Sequence, residues 1–278
     1  MSSNTDPYCD LVASTNIATR LQGWSCTNNI PTTDICTWQG LTCDDTSSYA
    51  TQMSIGGVGI SGTLADSIGD MSTLQYMYIN LNEFTNTLPN TIGNLVDLQL
   101  FSISSNQFNG TLPSSIGQMI SLELFIAENN NFTGFIPTTF GLLNQLSSIY
   151  INENQIIGSI PTELCQCISL EYLLLGDNLI THSLPSCLSD ITNLLQIFIN
   201  NNFITGSIPD SVGNWTHTNA IYFENNYLTG SIPYGLVSTV VSTFYINNNL
   251  ITNLIPYSFT HGYVLQYIYI NNNYITGS

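Results

Sequence analysis

The feature that most constrains this chain is an asparagine that returns nine times at a nearly constant interval. Successive members are 24 residues apart, except for one interval of 23 residues between Asn226 and Asn249. A proline column keeps the same interval from Pro89 to Pro256. A fixed period of this length predicts a solenoid, in which each copy is one structural unit stacked on the next. The asparagine column is Asn82, Asn106, Asn130, Asn154, Asn178, Asn202, Asn226, Asn249 and Asn273.

Each copy reads Leu-x-x-Φ-x-Φ-x-x-Asn-x-Φ-x-x-x-Φ-Pro, where Φ is apolar. The alternation Φ-x-Φ predicts a short strand with one face inward, and stacked copies then form a parallel sheet. The asparagine amide is expected to bond backbone groups of its own and the next coil, and the segment after the proline is expected to form a short helical turn. The register predicts that Tyr150 and Phe198 point outward. The residues predicted to point inward are Phe101, Ile103, Ile149, Ile151, Ile197 and Ile199.

Over residues 50–278 this pattern resembles the plant-specific leucine-rich repeat, whose hallmark is LxxLxLxxNxLxGxIP. The segment CTWQGLTC (36–43) is similar to the N-terminal cap of that family. The resemblance implies an α/β solenoid, a right-handed superhelix with a concave parallel sheet of about ten strands. It also implies a disulfide-bonded cap over residues 1–49 and an array of about ten repeats over 50–278, the last one incomplete. By the same analogy Cys9 pairs with Cys26, and Cys36 with Cys43.

Seven cysteines and three Asn-x-Ser/Thr acceptors indicate a secreted or cell-surface glycoprotein. The acceptors are Asn109, Asn131 and Asn214. Cys165 and Cys187 fall in equivalent segments of adjacent copies and could be bridged. Cys167 occupies a leucine position and is expected to be buried. Which of these three cysteines is unpaired stays open at this point.

The charge of the chain excludes several functions. Arg20 is the only cation apart from histidines, there is no lysine, and 18 acids give a net charge of −17. Nucleic acids and anionic membranes need clustered Lys and Arg, so neither is expected as a partner. No apolar run approaches the roughly 20 residues of a spanning helix, so membrane insertion is not expected either. His182, His217 and His261 occupy different positions of the repeat, so neither an enzyme nor a cofactor is predicted.

The outward strand positions carry the candidate binding surface, a ribbon of rings on the concave face. Three interpretations stay open: cross-strand packing, a protein partner and a glycan. Asn200-Asn201, Asn247-Asn248 and Asn271-Asn272 are predicted to form amide ladders beside the rings. The ribbon consists of Tyr76, Tyr78, Tyr150, Tyr172, Phe198, Tyr222, Tyr245, Tyr267 and Tyr269.

Two further patterns give alternative functions. Glu128, Glu153 and Asp177 fall on three successive strands, with Glu224 further on, and they are either solvated or hold a calcium ion. A threonine column follows the asparagine turn and resembles ice-binding surfaces, although Asn109 and Ile157 interrupt it. Its members include Thr85, Thr133, Thr181, Thr205, Thr229 and Thr252.

The sequence ends at NNNYITGS before any C-terminal cap, and two interpretations stay open: the array ends there, or the sequence is cut short. An open strand edge invites pairing, so residues 262–278 are predicted to contact the N-terminal cap of another copy, head to tail. The sequence therefore predicts a non-catalytic extracellular scaffold for protein–protein interaction, which could assemble as a structural subunit of a filament. The alternatives are a receptor-type module that binds a protein or a glycan on its concave face, and an ice-binding protein.

Overall fold

The computed structural model describes residues 6–238, 240–256 and 265–276. The chain divides into two compact units, Met1–Thr133 and Gly134–Ser278. The division falls within the repeat that contains Asn130 and Pro137, and it is separate from the predicted boundary between cap and array at residue 49, which stays a prediction. Among the described residues, no helix combines the length and the apolar character needed to cross a bilayer.

The first unit begins with a small disulfide-bonded segment. Asp6 caps the first helix, because its carboxylate accepts hydrogen bonds from the backbone N–H groups of Tyr8 and Cys9 at 2.9 and 3.2 Å. The indole rings of Trp24 and Trp38 pack with their centroids 4.9 Å apart and are fully buried. These two rings form the core of the segment. Its elements are the α-helices Pro7–Ser14 and Ile17–Arg20, the antiparallel strands Cys26–Thr27 and Ile30–Pro31, and the 3-10 helix Ile35–Thr37.

Each unit contains one run of strands of a main sheet. In the first unit, Leu41–Cys43 pairs antiparallel with Ala50–Ser54, and every later strand is parallel to its neighbour. These later strands are Tyr76–Tyr78, Leu100–Ser102 and Leu124–Ile126. In the second unit all pairs are parallel, with partners 24 residues apart except at Ala220 and Thr243. Its strands are Ser148–Tyr150, Tyr172–Leu174, Gln196–Phe198, Ala220–Tyr222, Thr243–Tyr245 and Tyr267–Tyr269.

The return path of each coil contains a shorter extended segment and then a 3-10 helix. The extended segments pair in small parallel sheets. They are Ser61–Gly62, Glu83–Asn86, Gln107–Thr111, Asn131–Thr133, Ile157–Gly158, Leu179–Ile180, Thr205–Ser207, Tyr227–Thr229, Thr252–Asn253 and Tyr274–Ile275. The 3-10 helices are Asp66–Asp70, Asn90–Asn94, Ser114–Gln118, Thr138–Leu142, Thr162–Gln166, Ser186–Asp190, Asp210–Asn214 and Tyr234–Ser238.

The predicted fold class, a leucine-rich-repeat solenoid with a parallel sheet of about ten strands, is confirmed. The main-sheet strands number five in the first unit and six in the second, eleven in all. The predicted register is also confirmed: all six residues expected to point inward are fully buried, whereas Tyr150 and Phe198 are half-exposed. A shift by one residue would have reversed both sets.

The buried asparagine column holds neighbouring coils together. In the second unit, the Asn202 side chain donates to the carbonyl oxygens of Ile199 and Asn200 in its own coil, both at 3.1 Å. It also donates to Leu175 O at 3.0 Å and accepts from Ile180 N at 2.8 Å, both in the preceding coil. The prediction of bonds to the next coil was therefore wrong in direction. The cause is that the amide lies on the side of the turn that faces the previous copy.

The 3-10 helices stack closely, which explains the Ile-Gly or Phe-Gly pairs in them. In the helix Thr138–Leu142, a Cβ added at Gly141 would overlap the carbonyl oxygen of Glu163 in the next coil. Only glycine allows this approach between two backbones. At this coil the spacing is therefore set by backbone contact on the 3-10 side and by hydrogen bonding on the sheet side, whereas Cys165 and Ser189 occupy the same position in the next two 3-10 helices.

Candidate functional site

Four rings form a continuous column on the outward face of the second unit. Phe198, Tyr222, Tyr245 and Tyr269 are Cα partners on adjacent strands, so their side chains leave the sheet at the same height. The ring centroids lie 4.2, 4.7 and 4.6 Å apart in sequence order, and the planes are inclined by 52–70°. The first three rings are half-exposed, and Tyr269 is 51% exposed. We call these four residues the aromatic column.

The predicted ribbon is only partly joined in this way. Tyr150 and Tyr172 form a separate edge-to-face pair with centroids 6.3 Å apart, in which the two rings come from different heights of adjacent strands. Tyr267 is 56% exposed at the first outward position of its strand. In the first unit, the Tyr76 hydroxyl donates to Gln99 at 2.7 Å. Among the described residues, no ring–ring contact includes Tyr76 or Tyr78.

Glu224 lies beside the aromatic column, two residues past the end of the strand Ala220–Tyr222 and separated from Tyr222 by the buried Phe223. Its Oε2 atom is buried and has no hydrogen-bond partner among the described residues. Burial, and secondarily the charge of Asp177, raise the pKa of Glu224. Desolvation, followed by the charge of Glu224, raises the pKa of Tyr222. Desolvation also raises the pKa of Tyr245, followed by the charges of Tyr222 and Tyr269 and then that of Glu224. The carboxylate is therefore electrostatically coupled to both rings.

An exposed amide ladder runs alongside the column and includes three of the six predicted asparagines, Asn201, Asn248 and Asn272, together with Asn225. Each Nδ2 donates to the side-chain oxygen Oδ1 of the asparagine in the preceding coil: Asn272 to Asn248, Asn248 to Asn225 and Asn225 to Asn201, all at 2.6 Å. Asn201 then donates to Asp177 Oδ1 at 2.7 Å, and Asn200 donates to Asp177 Oδ2 at 3.3 Å. Both oxygens of Asp177 thus accept hydrogen bonds within the protein, in contrast to Glu224 Oε2.

The calcium hypothesis for Glu128, Glu153 and Asp177 is not supported. In the part of the chain that the structure describes, no group of three or more His, Cys, Asp or Glu side chains could hold a metal ion. Two physical reasons are evident. First, Asp177 already accepts hydrogen bonds from two amides. Second, Glu128 belongs to a different outward column: it directly follows the inward residue of its coil, Ala127, whereas Glu153 and Asp177 are each two residues after the inward residue of theirs.

The cysteines and the glycosylation acceptors lie away from the aromatic column. Disulfides join Cys9 to Cys26, Cys36 to Cys43, and Cys165 to Cys187. Cys167 is a free, buried thiol, and burial raises its pKa to about 11, so the thiolate is suppressed at neutral pH. Asn109, Asn131 and Asn214 are all exposed, and Asn109 and Asn131 face each other on adjacent short strands.

The threonine column is in use within the protein. Four of its hydroxyls donate to a glycine carbonyl of the preceding coil at 3.2–3.3 Å; they belong to Thr85, Thr133, Thr181 and Thr252. The strands that carry the column form small sheets of two to four strands. Directly opposed residues are 22 apart, as in the pair Ser207 and Thr229, so the threonines do not face one another in a straight row.

The segment predicted to mediate self-association is described only in part, because residues 262–264 and 277–278 lie outside the described residues. Within it, Ile268 holds an inward position and is nevertheless 39% exposed, while the equivalent Phe244 is fully buried. His261 likewise lies outside the described residues.

Comparison with known proteins agrees with this architecture. The family model described as Leucine Rich Repeat matches residues 97–119, 145–167 and 193–215. A structure of the plant peptide hormone receptor RGFR1 in complex with RGF2 is 32% identical, with 82% of this chain and 37% of that chain covered and a TM-score of 0.80. A TDR receptor is 28% identical, with 77% and 37% covered and a TM-score of 0.75. A plant ice-binding protein is 18% identical, with 99% and 89% covered and a TM-score of 0.79.

The chain is thus a leucine-rich-repeat solenoid with N-terminal disulfides, similar to plant receptor ectodomains. It spans 37% of the length of each of the two receptors. The likeness to the ice-binding protein, at 18% identity, shows the fold alone.

The sequence missed one feature of this site, the special environment of Glu224. The available signal is its spacing, because residues two apart in an extended segment share a face, and Tyr222 and Glu224 have that spacing. At the level of sequence, Glu224 is grouped with the other outward acids, as solvated or holding calcium, and is not connected with the tyrosines.

Proposed function

We propose that this protein is a non-catalytic extracellular recognition module that binds a protein partner on the aromatic column of its second unit. The observation that carries the proposal is the unbroken contact of four exposed or half-exposed rings on one sheet face. Aromatic side chains are enriched at protein interfaces because they bury a large area at a small entropic cost. The 24-residue plant-specific repeat type and the predicted cap over 1–49 belong to the same proposal.

Three disulfides support an extracellular or cell-surface location, because such bonds persist in oxidising compartments. We expect N-linked glycans on Asn109, Asn131 and Asn214, which are exposed and outside the aromatic column. Intact-mass measurement before and after enzymatic deglycosylation of the secreted protein tests this expectation. Unmodified asparagines together with free thiols would contradict the extracellular location.

The binding proposal is tested by selecting a phage-displayed library of random peptides on the immobilised protein. The informative variant replaces the two ends of the column, Phe198→Ser with Tyr269→Ser. The matched control is Tyr227→Ser with Tyr234→Ser, since both of these tyrosines are exposed outside the column. Selected peptides should lose binding to the first variant and keep it with the second. Equal binding to both variants, or no enrichment at all, would refute the proposal.

Two other outcomes identify the alternatives. If neutral oligosaccharides bind the wild type and lose binding to the variant with Phe198→Ser and Tyr269→Ser, the partner is a glycan and not a protein. Multi-angle light scattering of the intact protein tests head-to-tail assembly, for which the exposed strand Tyr267–Tyr269 provides the edge. A molar mass that rises with concentration and falls on Tyr267→Ser substitution would favour a structural subunit over a recognition module.

A further inference from the structure

The centre of the aromatic column carries an unbalanced negative charge. The outward face around Tyr222 and Tyr245 includes the carboxylate of Glu224, and Asp177 is close enough to raise its pKa. The chain has no lysine, and its one arginine, Arg20, lies in the N-terminal segment with its guanidinium over Gly59. Among the described residues, therefore, no Lys or Arg side chain neutralises Glu224.

A buried carboxylate oxygen without a partner is unfavourable for the free protein. Folding removes water from Glu224 Oε2 and offers no hydrogen bond in exchange. The neighbouring Asp177 shows the usual solution, since both of its oxygens accept amide hydrogen bonds. In this conformation Glu224 Oε2 is closed to solvent, so a donor from outside reaches the carboxylate only through its other oxygen or after the half-buried side chain turns outward.

The rings define what kind of group fits. Tyr222 and Tyr245 are inclined by 65° with centroids 4.7 Å apart, so each presents part of a face or an edge beside the carboxylate. A guanidinium group is planar, stacks on aromatic faces and donates several hydrogen bonds in one plane. An ammonium group provides the same charge but not the stacking.

We propose that Tyr222, Tyr245 and Glu224 form a subsite for one arginine side chain of the protein partner. The guanidinium would stack on the face of one of the two inclined rings and pair with the Glu224 carboxylate, for which this half-buried side chain turns outward. Charge complementarity favours this occupant, because a protein with a net charge of −17 attracts cationic segments over the whole approach. This inference rests on the proposed function, of which it names the central contact.

The test uses a defined probe, the N-acetylated and amidated peptide Gly-Ser-Gly-Arg-Gly-Ser-Gly, titrated into the intact protein with tyrosine ring resonances observed by NMR. Peptides with lysine or with citrulline in place of arginine are the comparators, since citrulline has the shape of arginine without its charge. We expect saturable shifts of the Tyr222 and Tyr245 resonances with arginine, and binding weaker by about fivefold to twentyfold with citrulline. Lysine should fall between the two.

Variants assign the contact to these residues. Glu224→Gln and Tyr245→Leu should each weaken arginine binding severalfold, whereas Tyr245→Phe should retain it because the ring face remains. The controls are Glu83→Gln and Tyr234→Leu, which change an exposed acid and an exposed tyrosine elsewhere. Far-UV circular dichroism confirms that each variant is folded. Equal affinity for arginine and citrulline, or an unchanged affinity in Glu224→Gln, would overturn the subsite.

The two proposals fail in different ways. If library peptides require Phe198 and Tyr269 but bind Glu224→Gln as well as the wild type, the recognition module stands and the arginine subsite is wrong. If the probe binds at Tyr222 and Tyr245 while the library yields no peptide that depends on the column, the subsite stands and the proposed function is wrong.

Discussion

Replacing one buried asparagine should destabilise the second unit far more than replacing its exposed neighbour. Asn202→Ala removes four hydrogen bonds, but their consequences differ. The carbonyl oxygen of Leu175 still accepts from Asn178 at 3.2 Å, and that of Ile199 still accepts from Asn226 at 2.9 Å. The carbonyl oxygen of Asn200 keeps the backbone N–H of Asp177 at 2.9 Å. Only the buried N–H of Ile180 is left without a partner.

The loss of stability in Asn202→Ala can be worked out from these hydrogen bonds. A buried donor left without an acceptor costs about 1–3 kcal/mol. The other three lost bonds end on carbonyl oxygens that keep another donor, so each contributes little net free energy. Together they add roughly 1 kcal/mol to the loss of stability. We therefore expect Asn202→Ala to lower the free energy of unfolding by about 2–4 kcal/mol. The matched control Asn201→Gly keeps a backbone that suits the φ of 52° and removes only exposed contacts, so about 0.5 kcal/mol is expected.

The assay is urea unfolding followed by tryptophan fluorescence and circular dichroism. Trp215 is fully buried in the second unit and reports on it, whereas Trp24 and Trp38 belong to the first unit. The fluorescence and circular dichroism transitions need not coincide, because repeat arrays depart from two-state unfolding. Hydrogen exchange at the Ile180 amide gives a local readout and should accelerate in Asn202→Ala alone. A loss in Asn202→Ala no larger than in Asn201→Gly would refute the orphan-donor reasoning.

Three further changes have defined outcomes. Leu81→Gly should raise the free energy of unfolding in urea by about 0.5–1 kcal/mol, because Leu81 is 60% exposed at a φ of 56°, which disfavours a Cβ. Glu224→Gln should raise the melting temperature near neutral pH and leave it unchanged in acid, below the unfolded-state glutamate pKa of about 4.3. Burial raises the pKa of Glu224 in the folded protein, so the wild type loses stability as the pH rises from the unfolded-state pKa through the folded-state pKa. Replacing Cys165 and Cys187 by serine opens a loop whose ends are 22 residues apart and should lower the free energy of unfolding in urea by about 3 kcal/mol.

The sequence was sufficient for the fold because the period and the alternation determine the same structure independently. The 24-residue interval sets the coil, and Φ-x-Φ sets which residues point inward, so Ile197 and Ile199 could be placed without coordinates. The buried role of the asparagine column also followed from its position at the end of the strand. The direction of its bonds did not follow, because the pattern is the same whether the amide faces the previous or the next copy.

A left-handed residue before each column asparagine was not foreseen. Its φ lies between 52° and 58° at every one of the nine positions, from Leu81 to Asn272. Asparagine and aspartate suit this conformation, and five positions carry one of them in the second unit. Leu81, Ser105 and Glu153 do not have this preference and obscure the pattern. The backbone conformation is imposed by closing the coil, so the side chains adapt to it rather than specify it.

The functional part of the molecule was harder to predict for a related reason. Repetition makes every coil a copy of the same scaffold, so the proposed recognition surface has to rest on the outward positions where coils differ. Gly176 is one such departure: a Cβ there would overlap Oδ1 of Asn200, and its absence lets Asn200 reach Asp177. Glu224 is another, an acid in a column otherwise occupied nearby by Asn200 and Asn247.

The carboxylates at these two departures, Asp177 beside Gly176 and Glu224 itself, have opposite effects on the stability of the fold. The Asp177 carboxylate is stabilised within the fold by two amides, whereas Glu224 has one oxygen that is desolvated and unpaired. A glutamine at 224 would match its amide neighbours and avoid the buried charge, so the fold alone gives no reason for glutamate. If Glu224→Gln stabilises the protein at neutral pH and also weakens arginine binding, the same carboxylate lowers stability and supplies recognition. A stabilising substitution that leaves binding intact would separate the two effects and limit Glu224 to an electrostatic cost.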